Sequence, residues 1–537
     1  MSIVVCRDEN EQYRVATARG IAVVFSKTLT LKVMNIRCLG MSTEEPYDAS
    51  RTKQPADVST GSSLQTTTQT HAQELQVQQE TEGAPAPVTN DGDIAQPPPF
   101  QAAAIADSLL KAVTLAVVGI FVVASIYYGS FAQLWAMTIA RGRVFSFFTY
   151  ASISYSAITL LYLLFRTFLW VAYRPHTIEA GDNMPFVSVI IPAYNEGALV
   201  EKSIKAAIES GYPLHKLEVI CVDDGSKDDT FLYMQKAKAK YSGNVTLIKL
   251  PANKGKRNAL YQGFQQAHGG ILVTIDSDSI IEKGSLAQIV APFLRNRGIG
   301  AVAGNVKVLN KHEGIVPKML GVSFILSFDF TRACQSTYGA VLCCPGAFSA
   351  YRADIVHQVK EQWLHEMFMG EECTYGEDRA LTNMVLKQGF YTTYQNSAVV
   401  LTQVPTNYRK LSRMYLRWER SNIRESLILS TFILRRYREK HRVLPFVNFV
   451  IVNLRYPFQY YAMFFLLINL ITYPANIFRY LSMVGVVSLL YMIYYIRAEK
   501  DSDFVYGILY SYFSIFTLQW IFPYAMATLK SKSWMTR

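Results

Sequence analysis

The sequence predicts an α/β domain with a mostly parallel sheet, inserted between transmembrane helices. Three observations predict it. Charge vanishes between Lys111 and Arg141 and again between Arg143 and Arg166, and each gap exceeds the ~20 apolar residues that cross hydrocarbon. From Pro185 the texture changes: VSVIIPAY, LEVICVDD, VTLIKL and GGILVTIDSD are short β-branched runs separated by helical stretches such as ALVEKSIKAAIES. Strands alternating with helices predict a parallel sheet that binds ligands at its strand C-termini. Beyond Arg442 the uncharged stretches return.

The elements follow in order. Residues 1–105 read as a disordered, low-complexity tail, rich in Thr, Gln, Ser and Pro from Ser50 to Pro99, with only short apolar runs such as IAVVF before that. No cleavable signal is expected, because no basic-then-long-apolar order occurs. Residues 106–174 read as a membrane hairpin turning near Gly129–Arg143, and 185–404 as the α/β domain. Residues 405–442 are expected to be basic interfacial helices. Residues 443–529 form a second membrane region, with uncharged stretches at Tyr456–Phe478, Tyr480–Ile496 and Phe504–Leu529. Val443–Leu454 by itself is too short to span and fits an interfacial helix better, and either the last stretch, broken by Pro523, is re-entrant or an additional crossing lies in 443–473. Residues 530–537 are a basic tail expected in the cytosol.

Composition narrows the classes. Of 537 residues, 50% are hydrophobic and only 18% charged, against a norm of about 25%. That excludes a nucleic-acid-binding or wholly disordered chain and argues against a water-soluble monomer. The formal charge of +12 hides two opposite extremes. Residues 42–107 carry 10 acidic and 2 basic side chains, and residues 405–443 carry 11 basic and 3 acidic. Seven cysteines, with no metal-type CxxC spacing and an adjacent Cys343-Cys344 pair, read as free thiols in a reducing compartment.

Five constellations carry chemistry. Asp223 and Asp224 end the run VICVDD before a Gly-Ser turn; a carboxylate there accepts from a base N–H or a ribose hydroxyl, and the same residues also make an ordinary turn. NKGKRNAL offers Lys254, Lys256 and Arg257 around a glycine, suited to neutralising phosphate or to a solvated helix start. Asp276 and Asp278 follow ILVTI, where both carboxylates can reach one divalent cation, Mg²⁺ or Mn²⁺. Glu377 and Asp378 precede a helix in TYGEDRALTN; one acid can be a general base, or the pair is an acidic first turn. In LSRMYLRWERSNIRES the arginines recur mainly at helical spacing beside Trp418. Such a helix meets lipid headgroups, or Arg417 meets a pyrophosphate while Trp418 stacks on a sugar.

The order of these motifs resembles the family 2 glycosyltransferases of GT-A type, and the flanking spans resemble their processive polysaccharide synthases. Within that group RACQSTYGAVLCCPGAFSAYR and MFMGEECTYGEDRALTN look like the hyaluronan synthases. They are nearly as similar to the nodulation-factor chitooligosaccharide synthases, with chitin synthases close by, and SWMTR resembles the C-terminal end of the same group. The resemblance covers about Ala112 to Arg537. It implies a GT-A fold for 185–404, on the cytosolic side of the plasma membrane, polymerising UDP-sugars onto a growing polysaccharide and secreting it. Asp223 or Asp224 would bind the uracil-ribose part, with Lys256 and Arg257 supporting nucleotide binding and Glu377 beside the donor. Asp276 and Asp278 would hold Mg²⁺ or Mn²⁺ and the UDP pyrophosphate. Asp378 would be the catalytic base, and Arg417-Trp418 what remains of a Gln-x-x-Arg-Trp motif. The implied partners are UDP-sugar donors, the polysaccharide acceptor and membrane lipid. Two positions depart from the pattern: Met414 stands where the relatives have Gln, and PGAFSAYR stands in place of a Ser- or Cys-Gly-Pro order.

Overall fold

The computed structural model describes four strands between residues 4 and 35, a helix over 99–127, and residues 143–531 apart from 179, 180, 182, 436, 439 and 440. The chain divides into two units, Met1–Asp93 and Ile94–Arg537. In the first, β1 (Val4–Arg7), β2 (Tyr13–Ala16), β3 (Ile21–Phe25) and β4 (Leu31–Asn35) pair in sequence as an antiparallel meander. The short apolar runs of the expected tail are therefore strands, as β-branched sequences such as IAVVF favour. The Thr/Gln/Pro-rich stretch up to residue 98 lies outside the described residues, as do the hairpin turn over 128–142 and the tail over 532–537.

In the second unit eight strands form one mixed sheet. They are β5 (Val187–Ala193), β6 (Leu217–Asp223), β7 (Val245–Lys249), β8 (Ile271–Ile275), β9 (Ser279–Ile281), β10 (Ile299–Val308), β11 (Phe348–Arg352) and, after the small hairpin β12 (Met367–Phe368) and β13 (Glu371–Glu372), β14 (Tyr391–Thr402). Their order is β7-β6-β5-β8-β11-β10-β14-β9. The β5–β6, β6–β7, β5–β8 and β10–β14 pairs are parallel, while β11 runs antiparallel between β8 and β10. Every residue of β5 is buried, as an apolar run must be when helices cover both faces. Val189 and Ile191 pack into one core and Ile190 into the other, the alternation a strand imposes. The carboxyl ends of β5, β6 and β8 consequently open together on one edge.

Three described helices are long and apolar enough to cross a membrane: Ile105–Tyr127, Ile153–Ala172 and Asn476–Glu499. Helices Phe504–Thr517 and Ile521–Ala527 pass the same test only as a pair, bent by 48°. The break falls just before Pro523, the residue expected to interrupt this stretch. Ile158, Leu160, Leu161, Leu164 and Phe168 are exposed, as expected for a face turned to lipid rather than water. The chain is read as a membrane protein. One boundary differs from expectation: Val443–Thr472 is a single helix of 30 residues, so Val443–Leu454 is not a separate interfacial segment, and the next helix starts at Asn476. Pro457 sits inside that helix without ending it.

Candidate active site

The β6 strand ends at Asp223, whose Oδ1 accepts from the Ser226 amide at 3.0 Å. Its Oδ2 is buried with no hydrogen-bond partner among the described residues, an acceptor that a ligand N–H or O–H would satisfy. Asp224 accepts from the amides of Lys254 and Gly255 at 2.8 Å each, and burial pushes its carboxyl above the ordinary range despite them. Asp224 thus ties the strand end to the basic loop. Between the two runs a cleft of about 660 Å³, lined by Tyr194, Gly225, Ser226, Lys227, Lys249 and Asn253. Its volume suits a small-molecule ligand.

Lys256 opens helix Lys256–Gln266 and joins three of the expected motifs. Its ammonium pairs with Asp276 and lies 3.1 Å from Glu377. Burial works to lower its pKa, but Asp276 and Glu377 outweigh that and hold it well above the usual lysine value. Arg257 is not brought to this cluster. Only 3% exposed, its guanidinium turns inward to Glu366 and Trp363. Asp278 faces the hydroxyls of Ser279 and Thr402 at 3.2 and 3.3 Å. Among the described residues no three His, Cys, Asp or Glu side chains form a metal cage. Two carboxylates at one strand end still fit Mg²⁺ or Mn²⁺, which take one or two such ligands and complete the shell with substrate phosphates. Lys256 on Asp276 marks where positive charge is wanted.

Glu377 and Asp378 form the first turn of helix Glu377–Lys387, and their environments drive them apart. Burial raises Glu377, yet Lys256 and Arg417 overcome it and hold the carboxylate below its ordinary value. Asp378 is raised, by burial first and then by the negative charge of Glu377. Its Oδ2 receives the Gly346 amide at 3.3 Å and the Cys343 thiol at 3.7 Å, and its Oδ1 receives the Arg379 amide at 2.7 Å. Two neighbouring acids with separated pKa values are how acid and base roles are assigned at one site.

Gly376, just before them, has φ +77, and a Cβ there would lie 2.0 Å from Ser421 Oγ and 2.8 Å from Arg424 Nη2. Only glycine lets this segment lie against helix Tyr408–Ile433, which Asn407 caps by accepting from the Lys410 amide at 3.0 Å. That helix brings Arg417 to Glu377 and leaves Trp418 36% exposed, its ring 5.6 Å from Tyr415 and 6.2 Å from Phe324. Met414 is buried in the apolar cluster that also holds Leu411, Phe324 and Phe328. Three arginines of the basic segment face the protein interior. Arg420, Arg424 and Arg438 are buried and hold Thr528, the Tyr375 carbonyl and the Gly339 carbonyl respectively.

The site thus gathers Lys256, Asp276, Glu377, Asp378 and Arg417, with Asp223 and Asp224 across the basic loop. Sequence reasoning missed Gly346, Cys343, Trp363 and Glu366. The lone Trp in the VKEQWLHE run was the available signal. The cysteines at 221, 334, 343, 344 and 373 are all free, as expected.

The family model described as glycosyltransferase like family 2 matches residues 185–421. An N-acetylglucosaminyltransferase of Rhizobium meliloti (strain 1021) is 33% identical over 246 residues, covering 46% of this chain and 57% of that protein. A similar enzyme of Mesorhizobium japonicum is 32% identical over 252 residues and 58% of its length, so the chain spans less than two thirds of these two relatives. A hyaluronan synthase of Streptococcus pyogenes is 28% identical over 399 residues, 71% of this chain and 90% of that one. The mannosyltransferase PcManGT from Pyrobaculum calidifontis, solved with GDP-Man and Mn²⁺, superposes with a TM-score of 0.47 at 20% identity, over 68% of this chain and 98% of that chain. With its mostly parallel sheet and its acidic motifs at the strand ends, the segment 185–421 matches glycosyltransferase family 2 and takes a GT-A-like fold.

Proposed function

We propose that the chain is a processive, inverting membrane glycosyltransferase that polymerises UDP-sugars and passes the product across the membrane. The observation that carries this reading is the pair Glu377 and Asp378. One acid is held ionised by Lys256 and Arg417; the other is raised and hydrogen-bonded beside it. Asp378 takes the proton of an acceptor hydroxyl as its oxygen bonds to the anomeric carbon and the bond to UDP breaks on the opposite face. Lys256 and Arg417 offset the charge on the departing diphosphate, the kind of preorganised stabilisation that contributes most to such reactions. Asp276 and Asp278 would hold Mg²⁺ or Mn²⁺, which would supply Lewis-acid neutralisation of the diphosphate. The unpartnered Oδ2 of Asp223 and the cleft beside it suit a uracil-ribose group. Trp418, exposed on the same helix as Arg417, offers a ring face to the acceptor sugar.

The favoured product is hyaluronan-type, from UDP-GlcNAc and UDP-GlcA, on a multi-pass protein of the plasma membrane with its catalytic domain in the cytosol. The 33% identity to a rhizobial N-acetylglucosaminyltransferase supports a second reading, in which UDP-GlcNAc alone gives a chitin-type product. Purified protein with Mg²⁺ or Mn²⁺ and UDP-GlcNAc, with and without UDP-GlcA, tests both. Polymer only with both donors supports the first reading, and polymer from UDP-GlcNAc alone the second. No UDP release with any donor sinks the enzyme reading.

A further inference from the structure

Arg257 follows Lys256 directly, yet the two side chains part. Lys256 reaches Asp276 and Glu377. Arg257 runs into the body of the domain, where Nη1 and Nη2 both donate to Oε2 of Glu366 at 3.0 Å and Nη1 donates to the Trp363 carbonyl at 2.5 Å. Its guanidinium lies 5.4 Å from the centre of the Trp363 ring. The Trp363 indole N–H in turn donates to the Glu377 carbonyl at 2.8 Å. The Glu366 carbonyl accepts from the Cys373 amide at 2.9 Å, at the start of the segment that leads to Gly376 and Glu377. One buried cation therefore joins the two chain segments that present Lys256 and Glu377.

We infer that Arg257 is a positioning residue for the transfer reaction: acting through Trp363 and Glu366, it sets Lys256 against Glu377 without touching the donor. This rests on the catalytic reading above and assigns a residue within it. The chemistry demands arginine. A planar fork serves a carboxylate and a carbonyl while its face lies on an aromatic ring, which an ammonium cannot do. Lys256 pairs with both Asp276 and Glu377, so its placement helps set the charge beside the reacting centre. Misplacing a catalytic group by about 1 Å costs on the order of 10²-fold in rate.

The test uses the full-length protein in detergent, as wild type, Arg257→Gln, Arg257→Lys and Trp363→Phe. UDP affinity is read by calorimetry, UDP release is read against UDP-GlcNAc concentration, and folding is read by thermal unfolding. Arg257→Gln is expected to lower kcat by about tenfold or more, with KM and UDP affinity within about threefold, the signature of an effect confined to the transition state. Trp363→Phe keeps the ring, loses the N–H donor, and should lower kcat by a smaller factor, while Arg257→Lys should not restore the wild-type rate. Weaker UDP binding with kcat intact would make Arg257 a ligand and overturn the inference. Unchanged kcat per folded molecule with a lower unfolding temperature would make it scaffold only, and overturn it equally. If the wild type releases no UDP from any donor, the catalytic reading itself fails. A wild type that turns over while the variants lose UDP affinity with kcat intact refutes the positioning role alone.

Discussion

The amide of Gly346 donates to Oδ2 of Asp378 across 3.3 Å, and the same glycine makes room for Lys256: a Cβ there would lie 2.6 Å from Nζ. The atom in the way is the tip of a flexible side chain, so Gly346→Ala should fold. The ammonium, though, must swing off Asp276 and Glu377. Turnover is expected to fall by about 10- to 100-fold with little change in unfolding temperature, measured as UDP release beside a melting curve. Full activity in Gly346→Ala would show that the close approach has no catalytic weight.

Asp378 makes a pH prediction with a definite sign. A base acts when deprotonated, and burial together with Glu377 raises this carboxyl. The rate should therefore rise with pH through an acid limb lying above the ordinary aspartate range, then level off. Removing the neighbouring charge with Glu377→Gln should move that limb to lower pH, even as it lowers the maximal rate. Asp378→Asn should abolish transfer while UDP still binds, and substantial residual synthesis would refute its assignment as base. A pH–rate profile of UDP release checks the limb.

Much of this was legible because strand ends and carboxylates are local features. The runs ending at Asp223 and Ile275 are β-branched and uninterrupted, so the strands and their polar tips could be read off directly. Which way a side chain leaves a helix start could not. Lys256 and Arg257 are adjacent cations, and only the packing of Trp363 and Glu366, more than 100 residues away in sequence, sends one to the site and the other inside. The arginines of helix Tyr408–Ile433 repeat the lesson. Periodicity put them on a helix, but burial of Arg420 and Arg424 against Thr528 and Tyr375 depends on segments distant in sequence, whose paths no local pattern encodes.

Met414 makes a prediction about stability. It is 6% exposed within an apolar cluster, so restoring the relatives' Gln there would bury an amide. Such burial costs roughly 1–3 kcal/mol when no partner is provided. Met414→Gln is expected to lower the unfolding temperature without raising turnover. A faster enzyme of unchanged stability would mean that the departure from the Gln-x-x-Arg-Trp pattern had limited the rate.

Asp107 and Lys318 tie helix Pro99–Tyr127 to the α/β domain. Asp107 pairs with Lys318 and, at 2.8 Å, with Lys111, which lies 2.8 Å from Asp503; Lys311 lies 2.6 Å from that same carboxylate. These side chains are about one-fifth exposed, so water screens each pair only in part, and shared partners make the losses non-additive. An isolated exposed pair contributes about 0.2–1 kcal/mol; groups in one network couple by roughly 0.5–3 kcal/mol. A double-mutant cycle on Asp107→Asn and Lys318→Gln should therefore give a coupling energy above the exposed-pair range. High salt should weaken it less than it would a surface pair, because partly buried charges are screened less. Additive single losses would mean that the two groups act independently, and that packing of the apolar helices alone seats the domain on the membrane region.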